Sequence, residues 1–63
     1  MKNARIKIAM TENDLHQWEV AQIMGIHEGS LSRLLRNELP AEEQYRIVDL
    51  IRQHTKTGGG DNA

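Results

Sequence analysis

Residues 17–36 read QWEVAQIMGIHEGSLSRLLR and contain two short amphipathic segments separated by a glycine. Val20, Ala21 and Met24 are spaced along one side of a helix, which predicts a helix over about residues 17–24. Gly25 follows directly, and a glycine can end a helix in the left-handed conformation at the least steric cost. This stretch therefore predicts a helix that stops abruptly and a chain that turns within a few residues.

The residues after this turn predict a second helix over about residues 28–37. Ala21 is small, as it must be if the second helix crosses close to the first at that point. We expect Ile26, Leu31 and Leu34 to fill the wedge between the two helices.

Two further helices are predicted around this pair. The first covers about residues 3–12 and ends at Asn13 and Asp14, because Asn tolerates the left-handed conformation that closes a helix. The last begins at Pro40, which suits a first helical position because its missing N–H costs nothing there. The apolar residues of this last helix are Ile47, Val48, Leu50 and Ile51.

No segment alternates with the period of a strand, so the expected fold class is all-α, a compact four-helix domain with a central helix-turn-helix. Residues 1–56 are predicted to form this domain. Residues 57–63 contain three successive glycines and little to bury, and are expected to be a disordered C-terminal tail.

The composition argues against several classes of function. The chain has no cysteine, and its three histidines are scattered, so we expect no metal and no other cofactor. It has neither a membrane-length apolar run nor a signal-like N-terminus, which favours a cytoplasmic protein. A nucleophile beside a base, a phosphate loop and room to enclose a small-molecule substrate are also missing, so an enzyme is not expected.

The charge pattern is less basic than DNA binding would favour, since the net charge is −1. The acidic residues are concentrated in the second half. Residues 1–37 carry five basic and four acidic side chains, and residues 38–63 carry three and five. Any binding of DNA by a single monomer is therefore expected to be weak.

Residues 17–36, with Gln17, Ala21, Gly25 and Ile26 at their positions, resemble the helix-turn-helix of the lambda-repressor-like (Cro-type, XRE) DNA-binding family. The resemblance covers about residues 3–52. It implies a small bacterial or phage or mobile-element transcription regulator or accessory factor, which binds double-stranded DNA with a sequence preference.

In this family the second helix of the pair lies in the major groove. The resemblance implies that Arg33 contacts guanine, Glu28 a cytosine amino group, and Gln17 a phosphate. The predicted DNA-binding residues are Gln17, His27, Glu28, Gly29, Ser30, Ser32, Arg33 and Arg36.

The sequence also departs from the family pattern. His16 and His27 stand where the family usually has a Ser or Thr N-cap, and Gly29 offers no side chain at one contact position. The alternative function is a protein-protein interaction module that retains the helix-turn-helix frame without binding DNA.

A homodimer on DNA is the expected assembly, since one small domain makes few phosphate contacts. The predicted contact is the fourth helix, because its apolar stripe looks too broad for one domain to cover. Ile23 and Leu35 add apolar positions that the motif does not require. Alternatively, all these residues close the monomer's own core.

Overall fold

The structure, a computed structural model, describes residues 2–60, with side chains as far as Thr55. This part of the chain is all-α and has no strand, as predicted. None of its helices has the length and apolar character needed to cross a membrane. The four helices are α1 (Ala4–Glu12), α2 (Gln17–Met24), α3 (Glu28–Leu34) and α4 (Ala41–Gly60).

The predicted tail stays a prediction. The backbone of residues 57–60 continues α4, whereas residues 61–63 and the side chains of 56–60 lie outside the described residues.

The C-terminus of α1 is closed by a left-handed residue and two returning hydrogen bonds. The left-handed residue is Asp14, at φ 54°, and not Asn13, at φ −104°. The Leu15 N–H donates to the Met10 carbonyl at 2.9 Å, and the Asp14 N–H donates to the Thr11 carbonyl at 3.2 Å. This is the Schellman pattern, and it turns Leu15 back onto the core beside Met10.

The C-terminus of α2 repeats this closure with the glycine that the sequence predicted. Gly25 has φ 74°. The Ile26 N–H donates to the Ala21 carbonyl at 3.0 Å, and the Gly25 N–H donates to the Gln22 carbonyl at 3.1 Å. The chain therefore leaves α2 abruptly and starts α3 three residues after Gly25.

All four helices contribute to one core. α4 packs against α1 and α2, and α2 also packs against α3. The buried apolar residues are Ile6, Ala9, Val20, Ala21, Leu31, Leu35, Ile47, Val48 and Ile51.

Two residues predicted to fill the wedge between α2 and α3 are instead partly exposed. Leu34 is 40% exposed and Ile26 is 37% exposed. α3 turns by about 100° per residue, so when Leu31 and Leu35 face the core, Leu34 points to one side. The helix also ends at Leu34, three residues earlier than predicted.

The apolar stripe of α4 belongs mainly to the domain's own core. Ile47, Val48 and Ile51 are buried, and Leu50 is half-buried. Leu35 is buried as well. For Leu35, Ile47, Val48 and Ile51 the interpretation as surplus apolar surface is therefore wrong, because these residues belong to the core, whereas Leu50 and Ile23 are only half-buried. The homodimer itself stays a prediction.

The start of α4 also differs by one residue from the prediction. The helix begins at Ala41, so Pro40 occupies the position before it. The Pro40 carbonyl accepts hydrogen bonds from the Glu43 and Gln44 N–H groups at 3.0 and 3.1 Å. Glu42 and Glu43 place negative charge in the first turn of α4, which complements the helix dipole.

A buried asparagine that the sequence did not single out connects the start of α1 to the segment between α3 and α4. Asn3 is fully buried and left-handed, at φ 55°. Its side-chain amide donates to the carbonyls of Leu35 and Asn37 at 3.1 and 3.0 Å, and its Oδ1 accepts from the Leu39 N–H at 2.8 Å. These bonds hold the segment between α3 and α4 against the start of α1.

Glu38 extends this connection. Its carboxylate accepts from the Asn3 N–H at 2.6 Å and from the Gln44 amide at 2.8 Å. The bond from the Asn3 N–H, followed by that from Gln44, holds the pKa of Glu38 below its usual value.

This lowered pKa predicts how stability depends on pH. A carboxyl whose folded pKa is depressed stabilises the fold above its unfolded pKa, about 4.3, and loses that contribution as the pH falls through the folded pKa. We expect Glu38→Gln to be less stable than the wild type near neutral pH, with the difference closing as the pH falls below about 4. Urea unfolding across this range checks it, with Asp49→Asn as the control on an exposed carboxylate. A difference that stays constant with pH would contradict the role of the Glu38 charge.

Candidate nucleic-acid interface

α3 presents a continuous solvent-facing surface. Leu31 and Leu35 anchor the helix on the core. At about 100° per residue, Arg33 lies on the side of α3 opposite these two leucines. Of the eight residues predicted to contact DNA, Gln17 is half-buried at the first position of α2, and the other seven are exposed on α3 or beside its ends: His27, Glu28, Gly29, Ser30, Ser32, Arg33 and Arg36.

The charges on α3 are separated along its length. Glu28 lies in the first turn and Arg33 in the last, an arrangement that complements the helix dipole. Arg36 follows in the turn beyond the helix, where its N–H donates to the Arg33 carbonyl at 3.2 Å.

The fold brings a third cation to this end of α3. The Lys2 Nζ donates to the Arg36 carbonyl at 2.9 Å, although the two residues are 34 positions apart in the chain. Between described side chains, the one ion pair within 4.0 Å joins Arg46 to Glu43 on α4, at 3.7 Å. We call Lys2, Arg33 and Arg36 the cationic cluster, since all three lie at the C-terminal end of α3 and none forms an ion pair with a described carboxylate. The sequence alone does not reveal this contact, because it forms only when the fold brings residues 2 and 36 together.

The two helix starts differ in their capping. At α2 the Glu19 carboxylate accepts from the His16 N–H at 2.7 Å, which satisfies a backbone donor that the helix leaves free. At α3 the His27 side chain makes no cap hydrogen bond. In the first turn of α3 the Leu31 N–H donates to the His27 carbonyl at 3.1 Å, and the Leu31 side chain is buried in the core.

Gly29 leaves part of the exposed backbone of α3 uncovered. No neighbouring atom lies within 4 Å of the place where a Cβ would stand, so packing does not require a glycine here. A glycine inside a helix lowers stability by roughly 0.5–1 kcal/mol relative to alanine. It does permit close approach of another molecule to the backbone.

Replacing Gly29 or Gly25 by alanine should change the free energy of unfolding in opposite directions. We expect Gly29→Ala to raise the free energy of unfolding by about 0.5–1 kcal/mol, because the residue is helical and unobstructed. Gly25→Ala should lower it by about 1–2 kcal/mol, because a Cβ is strained at φ 74° even in open space. Urea denaturation of both variants measures this, and equal effects at the two positions would contradict it.

Large apolar side chains are also exposed around α2 and α3. Trp18 is 52% exposed on α2, and Leu34 is 40% exposed at the end of α3. Single exposed apolar side chains are common on folded domains, so these two residues do not by themselves define a binding site.

The described residues contain no group of three His, Asp or Glu side chains that could hold a metal ion. Compared with family models, with curated proteins and with solved structures, the chain matches none of them. The function proposed below therefore rests on the arrangement of α2 and α3 and on their exposed residues.

Proposed function

We propose that this chain binds double-stranded DNA by placing α3 in the major groove, as a helix-turn-helix protein of the lambda-repressor-like type. One observation carries the proposal. α3 is held on the core by Leu31 and Leu35, and its opposite side is a free surface that ends in the cations Lys2, Arg33 and Arg36.

The exposed residues of α3 suit base contacts. The Arg33 guanidinium can donate to O6 and N7 of guanine together, and this is the commonest base-specific contact in protein–DNA complexes. Glu28, Ser30 and Ser32 are exposed on the same helix and offer acceptors or hydroxyls to base edges or phosphates. Gly29 lets the backbone approach the groove closely.

Phosphate contacts would come from both sides of α3. Arg36 and Lys2 stand together at one end. Gln17, at the start of α2, combines a side-chain amide with the free N–H groups of the helix N-terminus. In this arrangement the phosphate contacts orient α3, and its own side chains read the bases. The biological role that follows is that of a small cytoplasmic transcription regulator or accessory factor.

Titration with duplex DNA at several salt concentrations tests the proposal. The duplex should carry a sequence selected from a random library by the protein itself. We expect affinity to fall linearly on a logarithmic scale with salt, because bound cations release counterions from the phosphates. No measurable affinity at about 50 mM salt, where such contacts are strongest, would refute DNA binding.

A protein-interaction module is the second candidate. Exposed Trp18 and Leu34 favour it, as does the net charge of −1. Such a module would show neither duplex affinity nor a salt slope, so the same titration separates the two functions.

The position of Lys2 gives a sharper test of the cationic cluster. If its ammonium contacts a phosphate, Lys2→Ala should reduce the salt slope by about one, with little change in base preference. If it only caps the Arg36 carbonyl, the variant should lose stability and keep the slope. Lys7→Ala, an exposed cation on α1, is the control of equal charge. The same slope in both variants would contradict a specific role for Lys2.

A further inference from the structure

The side of the domain formed by α1 and α4 exposes apolar surface away from α3. Ile8 is 51% exposed and Tyr45 is 56% exposed. Both line one shallow groove between the helices, together with the charged residues Arg5, Glu12 and Arg52. We call this set of five residues the α1–α4 flank.

Three residues of the flank form a stripe along α1. Arg5, Ile8 and Glu12 are three and four positions apart, so they lie on one side of the helix, and all are exposed. Arg5 and Glu12 are separated by two helical turns, about 10 Å, with Ile8 near the middle. Arg5 is held in place by Tyr45, whose ring centroid lies 4.9 Å from the guanidinium carbon.

This order of charges is complementary to itself. A twofold axis perpendicular to α1 near Ile8 would bring Arg5 of one copy to Glu12 of the partner subunit, and the reverse pair would form at the other end. The two Ile8 side chains would meet at the axis, with Tyr45 beside them. Between described side chains, neither Arg5 nor Glu12 has an opposite charge within 4.0 Å, so both are available for such pairs.

We propose that the α1–α4 flank is the contact between two copies of this chain in a weak symmetric dimer. The contact is isologous, since the same five residues supply both sides. It does not rest on the proposed DNA binding, and it replaces the largely buried stripe of α4 as the dimer surface. With only two large exposed apolar residues on each copy, the interface belongs to the small, transient class.

Sedimentation equilibrium from about 10 µM to about 1 mM tests this pairing without any DNA. The wild type should show a rising dimer fraction. Glu12→Arg should weaken association by about tenfold or more, because it sets like charges opposite each other while leaving the Arg5–Tyr45 contact intact. The exchange variant Arg5→Glu/Glu12→Arg should recover most of the lost association, because the pairs re-form with reversed polarity.

The single variant Arg5→Glu should also weaken association, because it sets two carboxylates opposite each other. Lys7→Glu is its matched control, because it makes the same change of charge at an exposed position outside the stripe. It should leave association nearly unchanged. Circular dichroism melting of each variant shows that the domain is folded before association is compared. A monomeric wild type over the whole range, or a folded exchange variant that does not recover, would overturn the proposal. Equal weakening by Lys7→Glu and Arg5→Glu would also overturn it, since only net charge would then matter.

Discussion

Asn3→Ala is expected to lower the free energy of unfolding by about 3 kcal/mol. The substitution removes the hydrogen bonds to the carbonyls of Leu35 and Asn37 and to the Leu39 N–H, in a place that water does not reach. It also places an alanine at φ 55°, which costs roughly 1–2 kcal/mol on its own. The free energy of unfolding of a 63-residue domain is only a few kcal/mol. This variant should therefore be largely unfolded even without urea.

Two further variants separate the loss of the side-chain hydrogen bonds from the cost of the left-handed backbone. Asn3→Gly tolerates the left-handed backbone but also loses the side-chain bonds, so it should recover only the backbone part of the loss. Asn13→Ala removes one side-chain bond, from Asn13 to the Ala9 carbonyl at 2.7 Å, and that carbonyl keeps a bond from the Asn13 N–H. It should cost about 1 kcal/mol or less. Urea unfolding of the three variants measures these changes. If Asn3→Ala lowers the free energy of unfolding no more than Asn13→Ala does, the bonds of Asn3 to the segment between α3 and α4 are not important for stability.

Arg33→Ala is expected to lower affinity for the selected duplex by about 5- to 150-fold, the equivalent of about 1–3 kcal/mol. The reason is the position of Arg33 on the side of α3 opposite Leu31 and Leu35, where a bidentate guanidinium would reach a base edge. Preference at one base pair should relax as well. Stability should change little, because the side chain is exposed.

Arg46→Ala is the matched control for this loss. It removes the same charge from an exposed position on α4, where Arg46 pairs with Glu43. A drop in affinity common to both variants would be a general electrostatic effect. An Arg33→Ala protein with full affinity and an unchanged consensus would contradict the proposed base contact.

Much of the fold could be predicted from local signals. The apolar spacing of Val20, Ala21 and Met24 and the glycine after them predict α2 and its end within a residue. α3 was predicted to reach about residue 37 but ends at Leu34. Leu31 and Leu34 were both expected to pack between the helices, and only Leu31 is buried. Which apolar residue is left exposed depends on how the helices pack, and the pattern alone does not show it.

The hydrogen bonds of Asn3 could not be predicted from local sequence patterns, for a different reason. Its partners lie 32 to 36 positions away and include backbone carbonyls, which any residue possesses. An asparagine near the start of a predicted helix suggests a simple N-cap. The contact of Lys2 with the Arg36 carbonyl could not be predicted for the same reason, because it exists only once α1 and α3 are placed together. The DNA-contact residues proposed on α3, in contrast, were those that the family resemblance implies, and the structure leaves them exposed.

The most direct measurement of the central claim is amide chemical-shift mapping of the full chain during titration with the selected duplex at low salt. The claim is that the outer side of α3 is the DNA-binding surface. It predicts that the largest shift changes fall on residues 27–36 and on Gln17 at the start of α2, and that they diminish as salt is raised. Amides of α3 that stay unchanged while the duplex binds elsewhere, or no change anywhere at low salt, would contradict it.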